Sequence, residues 1–240
     1  AATVWIGEWG APWLTDMDGM WTARMAYYRD EFLPPLGLSA QANEIILAGM
    51  RGLAAHADPV PADRLVTFRP GGALQMGGAG WQVIHAPGHA AAQTVFYQPE
   101  VRRLLSADML LAVAPAPVID HPAPGERRAP SLPLFLRSFD ALDALAIDMV
   151  YPGHGRPFSD HRAVIARQRA RIPDRKTQCL ELIRTGQTTV PQLLESMYAH
   201  QPPESRIAGL WMLIGYLDLL LDEGSVCEEL RGGVCHYYPV

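Results

Sequence analysis

Cysteine is scarce in this chain, with Cys179, Cys227 and Cys235 the only three. An odd count without a C-x-x-C spacing excludes a disulfide framework and a thiolate-held zinc site. It reads as reduced thiols in a cytoplasmic protein. Cys227 and Cys235 flank a predicted hairpin, where cross-strand packing is preferred over a bond between them. Long apolar runs are missing too. Leu210 to Leu221 is the most apolar stretch, it is interrupted by Asp218, and it falls short of the ~20 residues that span a bilayer. No membrane is expected as a partner. The opening Ala1-Ala2-Thr3-Val4-Trp5 has no basic segment, which excludes a signal peptide. Without an initiator Met and with strand-like residues at once, it reads as an internal starting point. Positive charge is short as well: 20 Lys and Arg stand against 25 Asp and Glu, a net of -5. That is the wrong sign for a dedicated nucleic-acid binder. Neither G-x-S-x-G nor a P-loop occurs, which removes two enzyme classes.

What is present is a globular balance. Hydrophobic residues make up 49% and charged ones 19%, so disorder is not the default. With 21 Gly and 21 Pro, turns and loop-borne function are expected. Thr3 to Ile6 reads as a short buried strand. Residues 16–57 are helical in character, broken at Pro34-Pro35, and Asp58 to Pro61 marks a loop. From Leu65 to Ile84 short strands alternate with glycine turns. Two more follow at Thr94–Tyr97 and Arg103–Ser106. Residues 112–130 form an irregular loop, Leu134–Leu145 a helix with one apolar side, and Met149–Tyr151 a strand. A helix from Asp160 to Arg171 leads to Pro173. Beyond it, Thr177–Thr185, Val190–Ala199 and Ser205–Glu223 read as three helices, the last with one apolar stripe and Gly224 as its stop. A hairpin around Gly232-Gly233 closes the chain.

The informative feature is a repeated Pro-Gly-His, at 87–89 and at 152–154. From this composition roughly 0.06 chance copies are expected, so a pair is not accidental. Each copy follows a predicted strand, which puts His89 and His154 on tight loops at strand ends. Between them, Ser106-Ala107-Asp108 ends another strand with an acid. Taken singly, a loop His is usually a surface residue and such an Asp a cap or turn former. Two imidazoles and a carboxylate at three strand mouths form a nitrogen–oxygen ligand set of the kind that holds zinc.

His85-Ala86-Pro87-Gly88-His89, then Leu105-Ser106-Ala107-Asp108, then Tyr151-Pro152-Gly153-His154-Gly155, resembles the later motifs of metallo-β-lactamase superfamily hydrolases. Phe135 to Leu142 resembles the helix that precedes the last motif there. The resemblance implies an α/β fold: an αββα sandwich over residues 1–172 with its N-terminal part missing, then a small winged-helix domain over 173–240. It implies that His89 ligates one zinc, His154 another, and Asp108 bridges both, with other divalent metals as alternatives. His85 is read as supporting or structural. There are two departures. Ala107 stands where the family usually has Gly, and the family's His-x-His-x-Asp-His motif occurs nowhere in the 240 residues. That motif would hold the remaining ligands and the acid that orients the nucleophilic water. The catalytic base is therefore unassigned, and the chain alone is expected to bind metal weakly.

The tail from Thr177 resembles the winged helix of one branch of these hydrolases, by element order. Its eight acids against Arg184, Arg206 and Arg231 leave a net of -5, so it reads as a packing or dimerisation module, not a phosphate binder. The basic run lies earlier, at Arg162, Arg167, Arg169, Arg171, Arg175 and Lys176. A solvated face partly paired with the acidic tail is preferred, with a polyanion site as the alternative. The leading function is a dinuclear-zinc hydrolase of an ester, thioester or phosphodiester small molecule. The alternatives are an endoribonuclease of the same fold and a non-catalytic winged-helix binding protein with a degenerate site. Trp5, Trp9, Trp13 and Trp21 are read as core packing before pocket lining.

Overall fold

A computed structural model describes residues 2–55, 58–113, 117–123 and 125–240, without the side chains of 203–205. The last two residues of the predicted helical stretch, parts of the 112–130 loop, and the side chains of Glu204 and Ser205 lie outside the described residues. No described helix is long and apolar enough to cross a membrane. Contacts divide the chain into two compact units, one of residues 1–15, 60–119 and 129–172, the other of 16–59, 120–128 and 173–240. One edge of that division coincides with the sequence boundary at 172. The second unit also takes in two earlier segments that linear reading does not separate.

In the first unit, β1 (Val4–Gly7) pairs in parallel with β2 (Leu65–Phe68). A five-stranded sheet follows in chain order: β3 (Ala73–Met76), β4 (Ala79–His85), β5 (Thr94–Gln98), β6 (Arg103–Ala107) and β7 (Met149–Pro152). The first four are antiparallel, with short turns joining β3 to β4 and β5 to β6 and the longer 86–93 loop joining β4 to β5, and Gly77 and Gly78 are both at positive φ in the β3–β4 hairpin. β6 and β7 are parallel, a pairing that needs a crossover. That crossover contains a helix, Ser131–Asp143. Phe135, Phe139 and Leu142 are buried at helical spacing on it, and Val83, Val95, Leu104 and Val150 are buried from the sheet. Phe68 meets Phe96 edge to face at 5.7 Å. The predicted strands appear where expected, but β1 is half-buried and Trp5 is 54% exposed. Trp9, Trp13 and Trp21 are half-buried, so the tryptophans are not the core residues that the reading preferred.

In chain order the helices begin with α1 (Pro12–Thr15), α2 (Met17–Tyr27) and α3 (Ala40–Ala54), with a π turn over Tyr28–Phe32 and a 3-10 turn at Pro34–Leu36. The chain breaks at the two prolines as expected, because proline lacks the amide that continues a helix. The crossover helix is α4 (Ser131–Asp143). After β7 comes α5 (His161–Arg184), then α6 (Val190–Tyr198), α7 (Pro203–Asp222), and a hairpin of β8 (Val226–Arg231) and β9 (Val234–Pro239). The two helices predicted on either side of Pro173 are one, since a proline removes a single amide donor while the turns around it keep theirs. α7 is not striped. Leu210, Leu213, Ile214, Tyr216, Leu217, Leu219 and Leu220 are all buried, the pattern of a helix enclosed on most sides. Gly224 does stop it, at φ 66, with Ser225 N–H bonded back to the Leu220 carbonyl at 2.9 Å. In the hairpin Cys227 faces Tyr238 and Cys235 faces Leu230, so the two thiols are not partners across the strands.

Candidate metal-ligand site

β4 ends at His85 and hands its chain to the Ala86-Pro87-Gly88-His89 loop. The Ala86 amide donates to the Gln93 carbonyl at 2.9 Å, closing the loop at its base. Gly88 has φ 148, and a Cβ there would come within 2.5 Å of the Phe135 backbone on α4. From the same helix Ser138 Oγ donates to the Pro87 carbonyl at 2.6 Å. The Val118 amide donates to the His89 carbonyl at 2.6 Å. His85 supports the loop as expected: its Nε2 lies 2.8 Å from the Ala91 carbonyl, and its ring lies 4.6 Å from that of Trp9. Trp9 Nε1 donates to the Ala92 carbonyl at 3.2 Å. The sequence points to Trp9 only as core packing or pocket lining and does not single out Ser138, and the structure makes both supports of this loop. The available signal was a polar residue, Ser138, set between Phe135 and Phe139 on the apolar side of α4.

The end of β6 departs from its ladder. Its register against β7 shifts between Leu105 and Ala107, and Ala107 takes φ 44, a left-handed conformation that side chains other than glycine disfavour. Buried Ser106 donates its hydroxyl to the Leu110 carbonyl at 2.8 Å. This turn lifts Asp108 to the strand mouth. The Gly153 amide at the end of β7 donates to the Ala107 carbonyl at 2.8 Å, and a Cβ on Gly153 would stand 2.4 Å from Asp108 Oδ1. Glycine is needed at 153 for the carboxylate to sit where it does.

The three sequence-selected side chains come together. His154 Nδ1 lies 2.7 Å from Asp108 Oδ1, and His89 Nε2 lies 3.7 Å from Asp108 Oδ2. The first is a hydrogen bond, the second an electrostatic contact beyond hydrogen-bond length. Each oxygen of one carboxylate thus faces a different imidazole. His89 and Asp108 are 21% and 25% exposed, while His154 is 77% exposed. Among the described residues, no group of three or more His, Cys, Asp or Glu side chains is arranged to hold a single ion. The site is therefore two pairs that share a carboxylate. Imidazole and carboxylate fit a divalent metal in kind, and they provide two donors on each side of Asp108.

Comparison with known proteins bears on the same residues. The family described as Metallo-beta-lactamase superfamily matches residues 1–154. A probable metallo-hydrolase, YqjP of Bacillus subtilis (strain 168), is 25% identical over 159 residues, 66% of this chain. The chain spans half of that relative's length, 50%. Two solved structures share the fold. The metallo-beta-lactamase family protein TTHA1429 from Thermus thermophilus has a TM-score of 0.71 at 23% identity, covering 100% of this chain and 72% of its own. A beta-lactamase domain protein from Burkholderia ambifaria has a TM-score of 0.75 at 24% identity, covering 99% of this chain and 66% of its own.

Proposed function

The chain belongs to the metallo-beta-lactamase superfamily, and from that premise we propose that the whole protein is a metal-dependent hydrolase of a small ester, thioester or phosphodiester. Two divalent ions, zinc in the first instance, are assigned to His89 with Asp108 and to His154 with Asp108. The observation that carries this reading is the split of the Asp108 carboxylate between two imidazoles, at 3.7 and 2.7 Å. A carboxylate that serves only one histidine has no need to direct its second oxygen at another. Residues 173–240 are assigned as a winged-helix-like module, and the three free thiols fit a cytoplasmic setting.

A bound metal pair would supply a hydroxide near neutral pH and a positive charge for the oxyanion that develops on the substrate. The chain's own part is positional. The turn at Ala107 presents Asp108, the bare Gly153 leaves room for it, and α4 secures the His89 loop through Ser138. Two donors on each side fall short of the about three protein ligands usual in catalytic zinc sites. The 240 residues by themselves are expected to hold zinc weakly.

Metal analysis of the whole protein tests the assignment. Two ions per chain are expected. Asp108→Ala should lose both, while His89→Ala and His154→Ala should each lose one and also abolish turnover. Undiminished metal content in Asp108→Ala, or full activity in His154→Ala, would refute the shared-carboxylate site.

A further inference from the structure

The basic run of α5 does not act as one surface. Arg162 donates to the Asp143 and Leu145 carbonyls and lies 3.9 Å from the Asp143 carboxylate. Arg169 reaches Asp140 at 2.7 Å, and Lys176 reaches Glu223 at 2.6 Å. Arg175 bonds to Gln178 at 2.9 Å and lies over the Tyr198 ring. These four cations are matched where they stand. Arg167 and Arg171 differ. They are exposed, one helical turn apart, and among the described residues neither has a carboxylate within ion-pair distance. Arg167 makes a single described bond, to the Ala112 carbonyl at 3.3 Å.

Both arginines line one cavity of about 200 Å³, with Gln168, Ala112 and Val113. Gln168 is buried and donates to the Leu111 carbonyl at 2.6 Å, which pins the chain leaving Asp108 to the helix that bears the arginines. Among the described residues no acid lines the cavity, so an anion entering it displaces no carboxylate there and competes only with the Ala112 carbonyl for Arg167. Side chains at i and i+4 have Cβ atoms about 5–6 Å apart, close enough for two guanidinium forks to converge on one ligand group. Their planar donor pattern matches the oxygens of a phosphoryl group.

We propose that this cavity binds the phosphoryl group of a small phosphate ester. It is smaller than the roughly 300 Å³ at which pockets begin to enclose a drug-sized ligand, so it takes the phosphoryl head and leaves the esterified body outside. The assignment stands apart from the hydrolase reading, because none of its residues belongs to the His89–Asp108–His154 set.

The probe is phenylphosphonate, which has no ester bond to cleave, with benzoate as the carboxylate of matching body, both titrated calorimetrically against the full chain. Phenylphosphonate should bind, and an Arg167→Gln/Arg171→Gln variant should bind it at least about tenfold more weakly, the scale of two charge-assisted hydrogen bonds lost. Arg162→Gln, already matched to Asp143, should bind as the parent does. Lysine at both positions keeps the charge without the fork and should give intermediate affinity, which separates recognition from any loss of fold. Equal binding by the glutamine variant places the phosphonate elsewhere and overturns the proposal. Equal affinity for benzoate overturns the phosphoryl assignment.

Discussion

Ala107 is where the site meets a backbone cost. At φ 44 its Cβ crowds the chain, a conformation that costs roughly 1–2 kcal/mol in an L-residue other than glycine. The turn persists because Ser106, Gly153 and the β6–β7 register hold it from three sides. Ala107→Gly relieves the strain but adds freedom to the unfolded chain, which returns part of the gain. The expected outcome is a stabilisation of about 0.5–1 kcal/mol in denaturant unfolding, with Asp108 unmoved. Destabilisation would mean that the turn is not left-handed. The departure at 107 was visible in the sequence, and its energetic meaning needed the dihedral angle.

Helix α7 shows how an element hides its polar anchor. Asp218 reads in sequence as an interruption of an apolar run and as one charge in an acidic tail. In the fold it is buried and receives Arg128 through two hydrogen bonds, one of 3.0 Å. The pair is 20% and 8% exposed, so solvent screens it little. Burial opposes the Arg128 charge, and the Asp218 bonds outweigh that and hold its pKa above the ordinary value. Removing one partner strands the other, a loss of about 3–5 kcal/mol, whereas replacing both by apolar groups is often close to neutral. Asp218→Leu should therefore lower the urea midpoint sharply, and Arg128→Met added to it should restore most of the loss. A double variant no better than the single would show that the pair is not the source of the effect. The separation of 90 positions along the chain explains why no local pattern announces them. Arg128 belongs to a loop that reads as irregular.

Across the whole molecule, stability should narrow at both ends of the pH range. His161 is buried, and burial with the nearby Arg162 charge pushes its pKa below the ordinary 6.5. Burial and Arg24 push His121 the same way. The folded form favours the neutral rings, so their contribution is complete above about 6.5 and is lost as acid protonates them first in the unfolded chain. Cys179 is the alkaline counterpart, pushed by burial from 9.0 up to about 12. Its contribution is complete below 9.0 and falls as pH rises towards 12. Urea midpoints across the pH range should form a plateau between these limits. His161→Gln should flatten the acid limb and Cys179→Ala the alkaline one. Unchanged limbs would assign the slopes to other groups.

The strand-and-loop plan was legible from the residues because it rests on local rules. A β-branched and aromatic run marks β5, glycines mark the β3–β4 turn, and two Pro-Gly-His loops mark the strand ends that bear His89 and His154. Even the identity of the converging trio was readable, since residue type and order along the chain are properties of one dimension. Tertiary structure decided what depends on distant neighbours. It carried α5 through Pro173, enclosed α7, paired Arg128 with Asp218, and set Ser138 against the His89 loop. It also turned one oxygen of Asp108 to each histidine. Periodicity records which way a residue faces, and only packing decides what it meets there.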